Sequence, residues 1–265
     1  MPFEEPVGFF DSGVGGLSVM REVRRLLPAE DLVYFADSAH CPYGLKPPGV
    51  IRARAFAICD FLLARGAKLL VIASNTTSIA ALDDLRQRYN LPIVGIEPAV
   101  KPAVAATRNG RIGILATGVT LAGDRFNSLI ERFGNGVEIY PQACPGLVEV
   151  VETGGCNKPE AEYLLRTYLS PLLARDVDTI VLGCTHYPFL RPVVERLAGK
   201  NISVIDSGEA VAQHVVRVLR KHGLLQHTTL KGKECFFTSG EPGVVEPVVR
   251  FLWGDPGVVV ERAAI

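Results

Sequence analysis

Short apolar runs rich in β-branched and aromatic residues recur along the chain: Val7–Phe10, Leu32–Phe35, Leu69–Ala73 and Ile93–Ile96. They have the length and chemistry of buried strands. Between them lie stretches whose apolar residues recur three or four apart. In LSVMREVRRLL, Leu17, Met20, Val23 and Leu27 share one face, arginines occupy the other, and Pro28 stops the run. ARAFAICDFLLARG and AALDDLRQRYN follow the same rule. Strand–helix alternation predicts βαβ units and an α/β fold of mainly parallel sheets flanked by helices.

The second half repeats the first in order. VGFFDSGVGG matches IGILATGVTL, with Ser12 falling on Thr117. HCPYG matches ACPGL, VIASNTT matches VLGCTHY, and IVGIEP matches SVIDSG. Four matches in one order predict two pseudo-symmetric α/β domains: residues 1–97 with 209–265, and residues 98–208. The tail beyond 208, with a helix over Val211–Leu219, a strand over Glu234–Thr238 and a helix after Pro242, has no counterpart in the first half. It is expected to pack back on the first domain. Ligands bind at the carboxyl ends of parallel strands. The expected active site therefore lies in an interdomain cleft, with Ser12, Ser74, Asn75 and Thr76 on one wall. Thr117, Thr120, Cys184, Thr185 and His186 form the other.

Composition narrows the function class. Lys+Arg and Asp+Glu both number 28, and no basic stripe occurs, so no nucleic-acid partner is expected. The apolar runs are too short for a membrane span, and MPFEEPVGFF is acidic where a signal peptide would be basic. A cytoplasmic protein is the expectation. The six cysteines are scattered without a C-x-x-C pair, which argues against zinc and leaves no metal site expected.

Among the motifs, DSGVGG is a glycine-rich strand-to-helix turn. It is either a capped tight turn or a small-anion site with Asp11 as acid/base helper. In GCTHYP, Cys184 follows a buried strand with His186 two residues on, a spacing that lets an imidazole share the thiol proton. CPYG is a turn able to offer N–H groups to a ligand. CPGLVEVVETG leads into a helical stretch bearing Glu152, which either reaches the site or is solvated.

With these residues in view, the chain resembles the glutamate racemases of the aspartate/glutamate racemase superfamily. The likeness rests on GFFDSGVGGLSV, YFADSAHCPYG, SNTTS, GILATGVT, CPGLVEVVETG, LGCTHYPFL, VIDSGEA and FFTSGEP, and covers almost the whole length. It implies two α/β domains, no pyridoxal phosphate or other cofactor, no metal, and a homodimer. It also implies interconversion of L- and D-glutamate to supply D-glutamate for peptidoglycan. Residue by residue, it makes Cys184 one of two catalytic cysteines with His186 assisting, Asp11 the helper of the opposite base, and Glu152 a further acidic helper. Ser12 accompanies Asp11; Pro42, Tyr43 and Gly44 contact substrate. Asn75, Thr76, Thr117, Thr120 and Thr185 bind its carboxylates and amino group.

One position departs from the pattern. The family reads Cys-Asn-Thr where this chain has Ser74, Asn75 and Thr76. A hydroxyl is far less acidic than a thiol, and losing one positioned acid/base group costs about 10²–10⁴ in rate. The serine fits an introduced replacement, a naturally weakened or altered racemase, or a one-sided reaction resting on Cys184 alone, as in the arylmalonate decarboxylases. A non-catalytic glutamate-binding relative is a further alternative. The intact DSG, CPYG, NT and CTH motifs favour an α-amino dicarboxylate ligand.

Overall fold

A computed structural model describes residues 5–265; the first four residues of the acidic N-terminal stretch lie outside it. The chain divides into two compact units, Met1–Ile96 with Gly208–Ile265, and Glu97–Ser207.

The first unit begins with β1 (Val7–Asp11), α1 (Leu17–Leu26), β2 (Leu32–Ala36), α2 (Pro48–Leu63), β3 (Leu69–Ile72), α3 (Asn75–Arg88) and β4 (Ile93–Gly95). Strands β1, β2 and β3 are buried along their whole length. Helices cover both faces of such a parallel sheet, so its strands read as continuous apolar runs. Side chains of β1 (Phe10), β2 (Val33, Phe35) and β3 (Leu70, Ile72) pack with Ile58 and Leu62 of α2 and Leu82 and Leu85 of α3.

The second unit holds α4 (Val100–Ala106), β5 (Arg111–Ala116), α5 (Gly118–Ala122), α6 (Asp124–Phe133), β6 (Glu138–Ala143), α7 (Leu147–Glu152), α8 (Pro159–Leu173), β7 (Thr179–Leu182), α9 (Arg191–Ala198) and β8 (Ser203–Asp206). Ile112, Ile114 and Val181 pack there against Val100 and Ala103 of α4 and Phe126 and Leu129 of α6. The chain then returns to the first unit with α10 (Gly208–Lys221), β9 (Glu234–Thr238), α11 (Pro242–Trp253) and β10 (Val260–Arg262). Helix α10 packs on α1, and β9 pairs in parallel with β2.

The two sheets run β10-β9-β2-β1-β3-β4 and β6-β5-β7-β8. Without the returning strands, the first order matches the second strand for strand. The packing repeats as well. A side chain at Gly8 of β1 would meet Leu62 of α2 at 3.3 Å, and one at Gly113 of β5 would meet Leu172 of α8 at 2.9 Å. Both strands use glycine where a crossing helix presses a leucine onto the sheet. One sequence match is shifted. Ile93 pairs with Leu70 whereas Val204, not Ser203, pairs with Ile180, so SVIDSG lies one residue out of register with IVGIEP. The CPYG and CPGL stretches agree in order but not in place. Cys144 directly follows β6, whereas a helical turn at Ser38–His40 separates β2 from Cys41.

Candidate active site

In both sheets the chain leaves the first strand for one neighbour and later returns to the other side of it. The switch point falls between β1 and β3, and between β5 and β7, where α/β sheets bind ligands beyond the strand ends. The predicted site residues cluster at these two points, and each unit carries its own set.

In the first unit, Asp11 ends β1 and is 1% exposed. Its Oδ1 accepts from the Ser12 N–H at 2.6 Å and the Ser12 hydroxyl at 3.2 Å. The Tyr34 hydroxyl donates to the Gly13 carbonyl at 2.7 Å and pins the following loop. Gly16 is required there: a Cβ would sit 2.8 Å from the Ala73 Cβ and 2.9 Å from the Tyr34 oxygen. The Ala73 N–H donates to the Phe10 carbonyl at 2.9 Å, so the ends of β1 and β3 run side by side.

Ser74 comes next and caps α3. Its Oγ accepts from the Thr77 N–H at 3.3 Å and the Thr77 hydroxyl at 2.9 Å. Asn75 and Thr76 form the first turn and are buried, and the Asn75 Oδ1 has no hydrogen-bond partner. Pro42, Tyr43 and Gly44 lie in a tight turn whose Tyr43 ring is fully buried. The Tyr43 hydroxyl donates to Asp37. Burial first, then the Asp37 charge and hydrogen bond, push this phenol far above its ordinary range. The Tyr43 phenol is therefore no acid at neutral pH. Asp37 itself was not singled out in the sequence, although it directly follows a buried strand in ADSAHCPYG, much as Asp11 ends one.

In the second unit, Thr117 caps α5. Its Oγ1 accepts from the Thr120 N–H at 3.3 Å and lies 2.9 Å from the Thr120 hydroxyl. The Gly183 N–H donates to the Leu115 carbonyl at 2.7 Å, which sets the end of β7 beside the end of β5. Cys184, Thr185 and His186 follow, all buried. The Cys184 Sγ is 3.6 Å from His186 Nδ1, and His186 Nε2 is 2.6 Å from a Glu152 carboxylate oxygen. Of the two sequence readings of Glu152, the solvated one is set aside. It ends α7 with its side chain 16% exposed and tied to His186. A carboxylate at a helix C-terminus is unfavourable against the helix dipole, and a facing imidazolium offsets that.

Burial alone would lower the His186 pKa, but hydrogen bonds to Cys184 and Glu152 outweigh it and hold the ring well above the ordinary imidazole value. Thiol, imidazole and carboxylate thus form one line of proton-sharing groups. Cys144 lies within electrostatic reach of Cys184; burial and then the Cys184 charge push its own thiol up, so it is inert as a base.

Residues 8–215 match the Asp/Glu/hydantoin racemase family. The chain belongs to that family. Among curated members, a glutamate racemase of Roseiflexus sp. (strain RS-1) is 52% identical over 239 residues, 89% of this chain and 88% of that protein. A glutamate racemase of Pseudomonas paraeruginosa (strain DSM 24068 / PA7) is 51% identical over 251 residues, 94% of both chains. Among solved racemase structures, Escherichia coli glutamate racemase in complex with L-glutamate and the activator UDP-MurNAc-Ala superposes with a TM-score of 0.87. It is 32% identical, over 98% of this chain and 99% of its own length.

Proposed function

We propose that this chain is a glutamate racemase that interconverts L- and D-glutamate without a cofactor, in the cytoplasm, as a source of D-glutamate for peptidoglycan. The observation that carries the reading is its near-full-length relation, at 52% and 51% identity, to proteins named glutamate racemase. These relatives favour racemisation over the one-thiol lyase and the non-catalytic binder. The family's dimeric assembly is part of the same proposal. Among the described residues, no helix is long and apolar enough to cross a membrane.

In racemisation a base on one face takes the α-proton, breaking the α-carbon–hydrogen bond and leaving its electron pair on carbon, as a carbanion delocalised into the carboxylate. A proton then returns to the opposite face, so nothing is oxidised or reduced. Two proton-transfer positions are needed, and the repeat supplies two equivalent strand ends, those of Ser74 and Cys184. Cys184, backed by His186 and Glu152, is the competent one. Hydrogen-bond donors aimed at the carboxylates stabilise the developing charge; Ser12, Thr76, Thr117, Thr120, Thr185 and the Tyr43 and Gly44 N–H groups are assigned this role. The buried Asn75 Oδ1, an acceptor without a donor, suits the substrate ammonium.

Ser74 is the weak member. Its oxygen accepts two bonds from Thr77 and keeps one O–H to donate, but a neutral hydroxyl is a poor acid and its anion is scarcely populated at neutral pH. Circular dichroism of L- and D-glutamate with the unaltered chain and with Ser74→Cys tests the reading. The cysteine variant should racemise both enantiomers about 10²–10⁴ faster. If Ser74→Cys racemises neither enantiomer, the reading is wrong.

A further inference from the structure

Asp37 is the most heavily engaged buried carboxylate near the first strand ends. It directly follows β2 and is 0% exposed. Arg54 of α2 holds it with two bonds, Nε to Oδ2 at 2.9 Å and Nη2 to Oδ1 at 2.8 Å. The Ser239 hydroxyl, just past β9, donates to Oδ1 at 2.6 Å. His40 Nδ1 lies 3.0 Å from Oδ1, and the Tyr43 hydroxyl donates to Oδ2. The Asp37 N–H donates to the Asp11 carbonyl at 3.0 Å. Through its carboxylate Asp37 therefore ties helix α2, the end of β9 and the 41–45 turn together, and through its N–H it joins them to the end of β1.

The turn needs such an anchor. In the racemase reading, the Tyr43 and Gly44 N–H groups at the start of this turn are the ones assigned to a substrate carboxylate. An N–H donor is effective only when held within tenths of an ångström of its target. Besides packing and the neighbouring Arg54, a polar tether on Tyr43 is its hydroxyl bond to Asp37.

We propose that Asp37 is a positioning residue for substrate binding: it holds the Tyr43 ring and thereby aims the Tyr43 and Gly44 N–H groups at a substrate carboxylate. This rests on the racemase reading for the identity of the ligand, but not for the mechanical claim. The competing view is that Asp37 only stabilises the fold.

The test uses the full chain with Asp37→Asn, Tyr43→Phe and Ser239→Ala. Tyr43→Phe keeps the ring and removes the tether; Ser239→Ala removes a bond to Asp37 and the acceptor of the Ala39 N–H, with no direct bond to the 41–45 turn. Hydrogen exchange of the Lys46 amide, which donates to the Tyr43 carbonyl at 2.9 Å, reads the turn without any ligand. Calorimetry with L-glutamate reads binding, and thermal unfolding reads stability. Asp37→Asn and Tyr43→Phe should each speed Lys46 exchange and weaken glutamate binding by about tenfold, the worth of one charged hydrogen bond. Ser239→Ala should lower the unfolding temperature and leave both other readouts in place. In the Ser74→Cys chain, Tyr43→Phe should raise KM with little change in kcat. Unchanged exchange in Tyr43→Phe, or exchange and affinity that track unfolding temperature across all three variants, overturns the proposal. Faster exchange with no glutamate binding to the parent chain would instead sink the racemase reading and leave the anchor standing.

Discussion

Replacing Glu152 by Gln puts the Cys184–His186–Glu152 line under the sharpest strain. Glutamine keeps the size and can still accept from the imidazole, so the change removes the charge and little else. The His186 side chain is 3% exposed and Glu152 16%, which leaves water little room to substitute for the lost carboxylate. A hydrogen bond to a charged partner contributes about 1.5–3 kcal/mol. The lower part of that range, about 2 kcal/mol, is apt because an acceptor remains, and it corresponds to roughly 30-fold. With Glu152 gone, burial is opposed by Cys184 alone, so the His186 pKa should fall toward or below its ordinary value. At neutral pH the ring then loses the proton that it shares with the Cys184 sulfur 3.6 Å away. Two assays follow this in the Ser74→Cys chain: nuclear magnetic resonance titration of the His186 ring, and kcat/KM for racemisation. The first should move to lower pH and the second should drop about 30-fold, with less loss at acidic pH than at alkaline pH. An unmoved titration with an intact rate would refute the coupling, and a lost rate with an unmoved titration would give Glu152 another task.

Three further outcomes can be checked. The Ser74→Cys change that restores turnover should also cost stability, because sulfur is a poor acceptor for the two Thr77 donors; a lost cap costs about 1 kcal/mol, or roughly 2–4 °C in a chain of this size. His186 has its folded pKa raised above the usual 6.5, so its contribution to stability is full below the unfolded value and disappears as pH rises through the folded one. Thermal melts should accordingly show the parent's margin over His186→Asn narrowing on the alkaline side, and a margin that widens there would contradict the assignment. Gly16→Ala forces a methyl against Ala73 and Tyr34 and should destabilise by about 1–3 kcal/mol in denaturant unfolding.

How much could be read in advance depended on how local the cause was. Strands β1 and β3 were legible because burial on both faces makes them unbroken apolar runs. Strand β6 was not. It is a half-exposed sheet edge, EIYPQA, carrying Pro141, and edges tolerate polar residues and proline. Strand β10 has three residues and exists by pairing with β9, a contact no local pattern announces. The shift of SVIDSG by one residue has a similar origin, since its four-residue strand is too short for alternation to mark the register. At the site, Asp11 and Ser74 stood out because each follows an apolar run directly, and Cys184 because it comes one glycine after a buried strand with His186 two residues on. The bond from Glu152 to His186 joins residues 34 apart and depends on where α7 ends. Asp37 also follows a buried strand, but its role rests on Arg54 and Ser239, 17 and 202 residues away, which nothing local announces.

The late return of the chain to its first unit has a consequence for synthesis. While the polypeptide emerges, β2 has an unpaired outer edge and α1 an uncovered face, because β9 and α10 are not yet made. Asp37 and Ser239 are 202 residues apart, which at ribosomal speeds of about 5–20 residues per second is a wait of roughly 10–40 s. The contiguous unit Glu97–Ser207 needs no such wait. The half bearing Cys184 is therefore expected to mature first, and the half bearing Ser74 to be sealed last, with a sticky strand edge in the interval. A chain ending at residue 207 and released from the ribosome would hold one complete unit and one still lacking α10, β9, α11 and β10.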